Sequence, residues 1–202
     1  LVEKNQVMNL TAITEPEQVA RLHFLDCIAL LGAANFYGKS VIDVGCGAGF
    51  PGVPLKIAEP SIQLTLLDSL KKRMDWLEAT LPELGIDATC VSARAEEYAL
   101  EHRESYDIAV SRAVARLTML SELCLPLVRV GGHFVAMKSA DSDEELSQAA
   151  RAISTLGGKV TRIWDYTVPG TDVVHRAVVI TKVKATPKPY PRRFAKIKQQ
   201  PL

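Results

Sequence analysis

The run Asp43-Val44-Gly45-Cys46-Gly47-Ala48-Gly49 begins at the end of a strand-like segment, Ser40–Val44. Glycines at every second position let the chain turn tightly and let a ligand approach the backbone with no Cβ in the way. With Phe50-Pro51-Gly52 the loop also satisfies GxGxxG, read from Gly47 to Gly52, the pattern of dinucleotide sites. That pattern alone does not name the ligand. Asp68 ends the next strand-like run, about 20 residues further on, where an acid can accept hydrogen bonds from ribose hydroxyls. NAD enzymes use an acid in the same place. Asp43 separates the two readings. A carboxylate two residues before the first glycine can help hold the loop and attract the cationic amino-acid end of S-adenosylmethionine, directly or through water, and would repel a pyrophosphate. The balance favours the methyl donor, with S-adenosylhomocysteine as product and no metal.

Other residues extend this site. Ala95-Glu96 follows the third strand-like run, where a backbone N–H or a carboxylate could read an adenine edge; Glu96 and Glu97 could equally start a helix. The loop after the fourth run, Ser111-Arg112-Ala113-Val114-Ala115-Arg116, would face the methyl group. It lacks the Asn/Asp-Pro-Pro-aromatic run of amino methylation and the cysteine of pyrimidine carbon-5 methylation. Ring-nitrogen, oxygen or small-molecule acceptors remain. A ring nitrogen such as guanine N7 has an exposed lone pair and no proton, so orientation could suffice without a general base. His23 and Asp26, at i and i+3 on a helix, are close enough to interact, either beside the acceptor or as a packing pair. Lys138, ending the fifth run, is a candidate for the pocket rim, and with Arg112 and His23 it completes the acceptor-side candidates.

Alternating elements must position these residues. Strand-like runs lie at Ser40–Val44, Gln63–Asp68, Ala88–Ser92, Tyr106–Ser111 and His133–Lys138, with helical stretches near Pro51–Ala58, Lys71–Leu84, Leu117–Val128 and Ser142–Leu156. Such alternation implies a parallel sheet with helices on both faces. Lys159–Val168 and Arg176–Val183 have only the turn Pro169-Gly170-Thr171-Asp172 between them, which predicts an antiparallel hairpin on one sheet edge. The expected fold is α/β: the Rossmann-like, mostly parallel seven-stranded sheet of class I methyltransferases, closed by a C-terminal antiparallel hairpin. Upstream, Thr14-Glu15-Pro16-Glu17 predicts a helix start with Thr14 as cap and Glu17 completing a capping box. Val19, Leu22, Leu25 and Ile28 then form one apolar face, ended by Gly32.

We expect one domain of 202 residues: an N-terminal helical segment at 1–36, a core at 37–183 and a basic tail at 184–202. The chain begins with Leu1 in what reads as mid-domain, so a preceding piece is expected. No membrane span or signal peptide is visible. Four scattered cysteines without a CxxC pair argue against a zinc site or disulfides and for a reducing cytosol. The net charge of +1 conceals an asymmetry, because Lys182–Leu202 carries seven basic residues and no acidic ones, leaving 17 basic and 23 acidic residues elsewhere. A basic tail on an acidic body suggests a polyanionic partner, or a solvated tail that aids solubility. Three prolines at alternate positions in Pro187–Pro191 exclude a helix there and predict an extended arm.

These segments together resemble a known family, the bacterial 16S ribosomal RNA guanine-N7 methyltransferases, historically called glucose-inhibited division protein B. The matching stretches run along nearly the whole chain: Asn9–Ile13, His23-Phe24-Leu25-Asp26, Asp43–Gly52, Leu66-Leu67-Asp68-Ser69 with Lys72-Arg73, Arg94-Ala95-Glu96, Ser111-Arg112-Ala113, Ala136-Met137-Lys138 and Tyr190-Pro191-Arg192. The resemblance implies one guanosine of 16S RNA in the small subunit as substrate, and donor contacts at Gly45, Phe50, Ala95, Glu96 and Arg112, beside the Asp43, Gly47 and Asp68 already singled out; a cytoplasmic monomer is expected. Two departures stand out. Cys46 replaces the family's usual Ser or Thr, and Phe194-Ala195-Lys196-Ile197 lacks the glycine and proline usual after Tyr-Pro-Arg. A small-molecule methyltransferase and a donor-binding assembly factor remain alternatives.

Overall fold

The computed structural model describes all 202 residues. Seven strands form one sheet: β1 (Ser40–Val44), β2 (Gln63–Asp68), β3 (Ala88–Ser92), β4 (Tyr106–Arg112), β5 (Val128–Ser139), β6 (Gly158–Thr167) and β7 (Val174–Lys182). Their order is β3-β2-β1-β4-β5-β7-β6. The first five run parallel, and β7 lies antiparallel between β5 and β6. The sheet is therefore the mostly parallel, seven-stranded one expected. Its order reverses between β1 and β4, and the chain leaves these two strands in opposite directions, opening a crevice above their carboxyl ends.

Residues two apart in a strand point to the same side. In β4, Ile108 and Val110 join one core while Ala109 joins the other; in β5, Val135 and Met137 oppose Phe134 and Ala136. The first core is roofed by α3 (Asp26–Ala29), α4 (Gly52–Ala58) and α5 (Lys71–Thr80). The second is roofed by α6 (Ala95–Glu101), α7 (Leu117–Cys124), α8 (Asp143–Thr155) and α9 (Phe194–Gln199).

Several elements depart from expectation. Strand β5 starts at Val128, before the Gly131-Gly132 pair that marks its expected beginning. A Cβ on Gly132 would lie 2.4 Å from the Asp107 carbonyl, so the glycine admits a close strand approach within the ladder. The N-terminal segment contains α1 (Val2–Met8), and α2 (Pro16–Val19) is capped by Glu15, not Thr14: Glu15 accepts from the N–H groups of Glu17 at 3.0 Å and Gln18 at 2.7 Å. The helix then widens into a π turn over Ala20–Leu25 before α3. An extra residue per turn shifts the apolar phase. Leu25 is consequently 38% exposed, while Asp26, Cys27 and Leu30 are buried.

The tail is docked and partly helical, whereas the prolines predict an extended arm. Residues 187–193 are indeed non-helical, yet they are tied down, and α9 follows with Ile197 wholly buried. Arg103 donates to the carbonyls of Thr186, Pro187 and Tyr190. Lys182 is buried with Nζ 2.7 Å from Leu125 O and 3.1 Å from Glu104 Oε1; burial pulls its pKa down. Arg192 grips the fully buried Glu122 through Nε, Nη2 and its backbone N–H. Removing Arg192 strands that carboxylate. We expect Arg192→Ala to lower the unfolding free energy by about 3 kcal/mol in a urea titration, and a loss below ~1 kcal/mol would show that the pair does not hold the tail.

Candidate donor and acceptor site

The crevice above β1 and β4 is a cleft of about 580 Å³, within the ordinary range for a small-molecule site. Its lining includes Gly45–Ala48, Phe50, Asp68, Arg73, Ala93–Glu96, Arg112–Val114 and Phe194.

The glycine loop turns as its sequence requires. Gly45, Gly47 and Gly49 have φ of 73°, 58° and 94°, the left-handed region that other residues rarely adopt. A Cβ on Gly45 would come within 2.5 Å of Val114, so only glycine lets the loops after β1 and β4 meet. The space at Gly47 is open. All but one of the loop's N–H groups, that of Ala48, are already used: Gly45 and Cys46 donate to Leu67 O, Gly47 to Asp68 Oδ2, and Gly49 and Phe50 to Cys46 O. A phosphate cradle needs such groups aimed outward at the anion. This loop aims them inward, which weighs against the dinucleotide reading.

Asp68 is nearly buried. Oδ2 accepts the Gly47 N–H at 3.0 Å and Oδ1 the Leu70 N–H at 2.9 Å, with Arg73 Nη1 at 3.6 Å from Oδ2. A carboxylate has about four acceptor positions, so capacity remains for a diol in the cleft.

Asp43 fills one of its two expected roles, holding the loop, and not the other, since it does not face the cleft. It is wholly buried behind the loop and does not line the cleft. Oδ2 accepts the Gly52 N–H at 2.7 Å, holding the start of α4, and Oδ1 has no partner. Burial pushes its pKa up to about 7, against the opposing pull of the Gly52 hydrogen bond and Arg112. Direct contact with the donor's amino group is replaced by a role beneath the loop.

Ala95 and Glu96 start a helix, α6, and they also face the cleft, where the adenine reading needs them. Glu96 is 6% exposed, and its Oε1 accepts from Arg94 Nε at 2.7 Å. Phe194 of the tail lies over the Arg94 guanidinium, 3.9 Å from it to the ring centroid. Its place in the site is not readable from the sequence, because only the docked tail brings it there.

Arg112, expected on the acceptor side, lines the cleft and gathers several partners. Nη2 donates to His23 Nδ1 at 3.1 Å, Nη1 to Leu22 O at 3.2 Å, and Asp26 Oδ2 is 3.6 Å from Nη1. The guanidinium sits 4.9 Å from the Phe50 ring centroid, and His23 stacks on the same ring at 5.1 Å. Arginine only donates, so Nδ1 of neutral His23 is the acceptor and its Nε2–H donates to Thr11 Oγ1 at 2.6 Å. Partial burial and the facing guanidinium keep the His23 pKa below its usual value. His23 and Asp26 thus do not bond each other. Asp26 instead accepts from Tyr166 Oη at 2.8 Å and pairs with His175 Nδ1 at 2.9 Å. Lys138 is not on the pocket rim. Its Nζ donates to Ala115 O at 2.8 Å and pairs with Glu145 at 2.6 Å, and Glu145 also accepts the Leu117 N–H. Lys138 therefore braces the loop after β4 from behind.

Solved structures share this frame. A S-adenosylmethionine-dependent methyltransferase from Aquifex aeolicus superposes with a TM-score of 0.60 at 15% identity, over 91% of this chain and 99% of that one. Magnesium protoporphyrin IX methyltransferase from Synechocystis gives 0.57 at 14% identity, over 78% and 77% of the two chains. The fold is that of the class I S-adenosylmethionine-dependent methyltransferases. The model of the rRNA small subunit methyltransferase G family matches residues 1–170. Proteins named ribosomal RNA small subunit methyltransferase G are 48% identical in Clostridium botulinum strain Loch Maree, over 99% of this chain and 85% of the relative, and 46% identical in Clostridium perfringens strain 13, over 100% and 86%. The chain belongs to this family and is an S-adenosylmethionine-dependent ribosomal RNA methyltransferase.

The Asp43 geometry sets a stability-against-pH test. A carboxyl whose folded pKa is raised to about 7 stabilises the fold below its unfolded value, and that contribution is lost as pH rises through the folded value. Asp43→Asn should therefore melt higher than the parent at pH 8, with the gap closing towards pH 4. A gap that is flat with pH, or that widens in acid, contradicts the buried, half-satisfied carboxylate.

Proposed function

We propose that the acceptor is N7 of one guanosine in 16S ribosomal RNA, presented by the small ribosomal subunit in the cytoplasm. The observation that carries this reading is the state of His23. Both its ring nitrogens are engaged, Nδ1 by Arg112 and Nε2 by Thr11, and the ring is held neutral. The nearest candidate base is thereby occupied with structure. N7 of guanine carries no proton, so none has to be removed.

S-adenosylmethionine, when bound, supplies a methyl group activated by its sulfonium charge. The residues present fit that donor: a carboxylate with spare acceptor capacity at Asp68, an open backbone at Gly47 and a cleft largely walled by apolar side chains. In this reading Asp68 holds the ribose, and Gly45 and Gly47 cradle the amino-acid end, with Asp43 supporting the loop from below. Ala95 and Glu96 flank the adenine. Phe50 and Arg112 form the junction between donor and acceptor, where Arg112, fixed by four partners, supplies a rigid wall for the incoming base. The chain's contribution is then alignment, an orientation effect.

The direct test compares 16S RNA from cells with and without the protein. The modification is expected to disappear at one guanosine and to return when purified protein, small subunits and labelled donor are combined. An unchanged N7-methylguanosine content would sink the proposal, and binding without transfer of label would point to an assembly factor. His23 gives a second check. Losing a general base typically costs about 10²–10⁴-fold in rate. His23→Gln should slow a single turnover by less than about ten-fold, and a hundred-fold loss would make His23 a base and exclude N7 as the acceptor.

A further inference from the structure

The tail's basic composition points outward, to RNA, but its geometry points inward as well. Phe194 lies at the start of α9 and lines the same cleft as Asp68, Ala95 and Glu96. Its ring covers the Arg94 guanidinium at 3.9 Å, and Arg94 pairs in turn with Glu96 at 2.7 Å. Three side chains from two distant stretches of sequence thus close one end of the cleft. This is the end beside the loop after β3, opposite Arg112.

The position of Phe194 is over-determined. Upstream, Arg192 is locked to buried Glu122, and Tyr190 O and Pro187 O accept from Arg103. Downstream, Ile197 is fully buried in the second core. A ring anchored on both sides is not a mobile surface group. Its neighbour Arg94 is satisfied by Glu96, so what this end presents to a ligand is an apolar ring beside a neutralised ion pair. Such a surface suits an uncharged, flat aromatic base and disfavours an anionic phosphate.

From this we infer that Phe194, carried by the C-terminal tail, is a donor-binding residue that walls the adenine end of the cleft, with Arg94 and Glu96 as the pair that positions it. The inference rests on the donor reading above. It gives the tail a second role, because the donor site is complete only when the tail is docked. Deleting the tail then removes donor affinity and not merely RNA affinity.

Calorimetric titration of the full chain with S-adenosylhomocysteine and with 5′-methylthioadenosine, which lacks the amino-acid end, tests this. Phe194→Ala should weaken both ligands by about ten-fold and in the same proportion, as expected when an apolar wall is lost from the shared adenosine half. Phe194→Tyr should restore both. The melting temperature without ligand and the rate of tryptic cleavage in the tail should stay near the parent's, which separates loss of a wall from loss of tail docking. The double variant Arg193→Ala, Lys198→Ala should weaken RNA binding while leaving both small ligands unchanged. Unaltered affinity of Phe194→Ala for the two ligands overturns the inference and leaves the methyltransferase reading intact. Failure of the parent chain to bind S-adenosylhomocysteine overturns the donor reading itself.

Discussion

The carboxylate of Asp68 bonds two backbone N–H groups from different loops, Gly47 after β1 and Leu70 after β2. Charged acceptors make the stronger hydrogen bonds, and here they fix the glycine loop to the end of the neighbouring strand. The consequence reaches across the site. With Gly45, Cys46 and Gly47 all donating inward, the loop presents open backbone and a carboxylate edge, not a ring of anion-binding N–H groups. A glycine loop of similar sequence can therefore serve a different ligand class from the one its pattern suggests. The choice lies in where the donors point.

Arg112 ties together another part of the cleft as Asp68 ties the glycine loop. It ends β4 and reaches back to Leu22, His23 and Asp26, joining the N-terminal helical segment to the sheet. Asp26 extends the connection to Tyr166 and His175 in the terminal hairpin. Oδ1 of this buried carboxylate is shared by the tyrosine and the histidine, and Oδ2 faces the arginine at ion-pair distance, so the buried charge is paired. The π turn at Ala20–Leu25 belongs to the same arrangement, since it carries both Leu22 and His23, which Arg112 holds.

Much of this was legible in the sequence, and the exceptions share a cause. β1, β2 and β3 follow from apolar runs bounded by glycine, proline or acidic residues, and their observed limits are the expected ones. Strand and loop identity place Gly45, Gly47, Phe50, Asp68, Ala95, Glu96 and Arg112 around one cleft. Direction was harder to read. Asp43 shares a face with Val41, and in a parallel sheet covered on both sides that alternation sends it into the interior. Residue type suggests both a hold on the loop and a ligand contact; the period of two buries the carboxylate, which keeps the first and removes the second. Lys138 likewise turns to Glu145 in α8, a partner that no local spacing reveals. Phe194 and the π turn depend on tertiary packing, which local periodicity does not encode.

The charge asymmetry also changes meaning once the residues are placed. Of the seven basic residues from Lys182 onward, Lys182 and Arg192 are spent within the molecule, on Glu104 and Glu122. The Arg192–Glu122 pair thus joins the Arg103 hydrogen bonds and buried Ile197 in docking the tail. The other five, Lys184, Lys188, Arg193, Lys196 and Lys198, stay exposed and form no ion pair. Pairing two cations does not cancel the field of the rest, which can still draw a polyanion over distances of about a Debye length. Because α9 carries Phe194 on the cleft and Lys196 and Lys198 on the surface, exposed cations and a cleft-lining ring sit on the same short helix. The tail is therefore better understood as a built wall with a charged outer face than as a free basic arm.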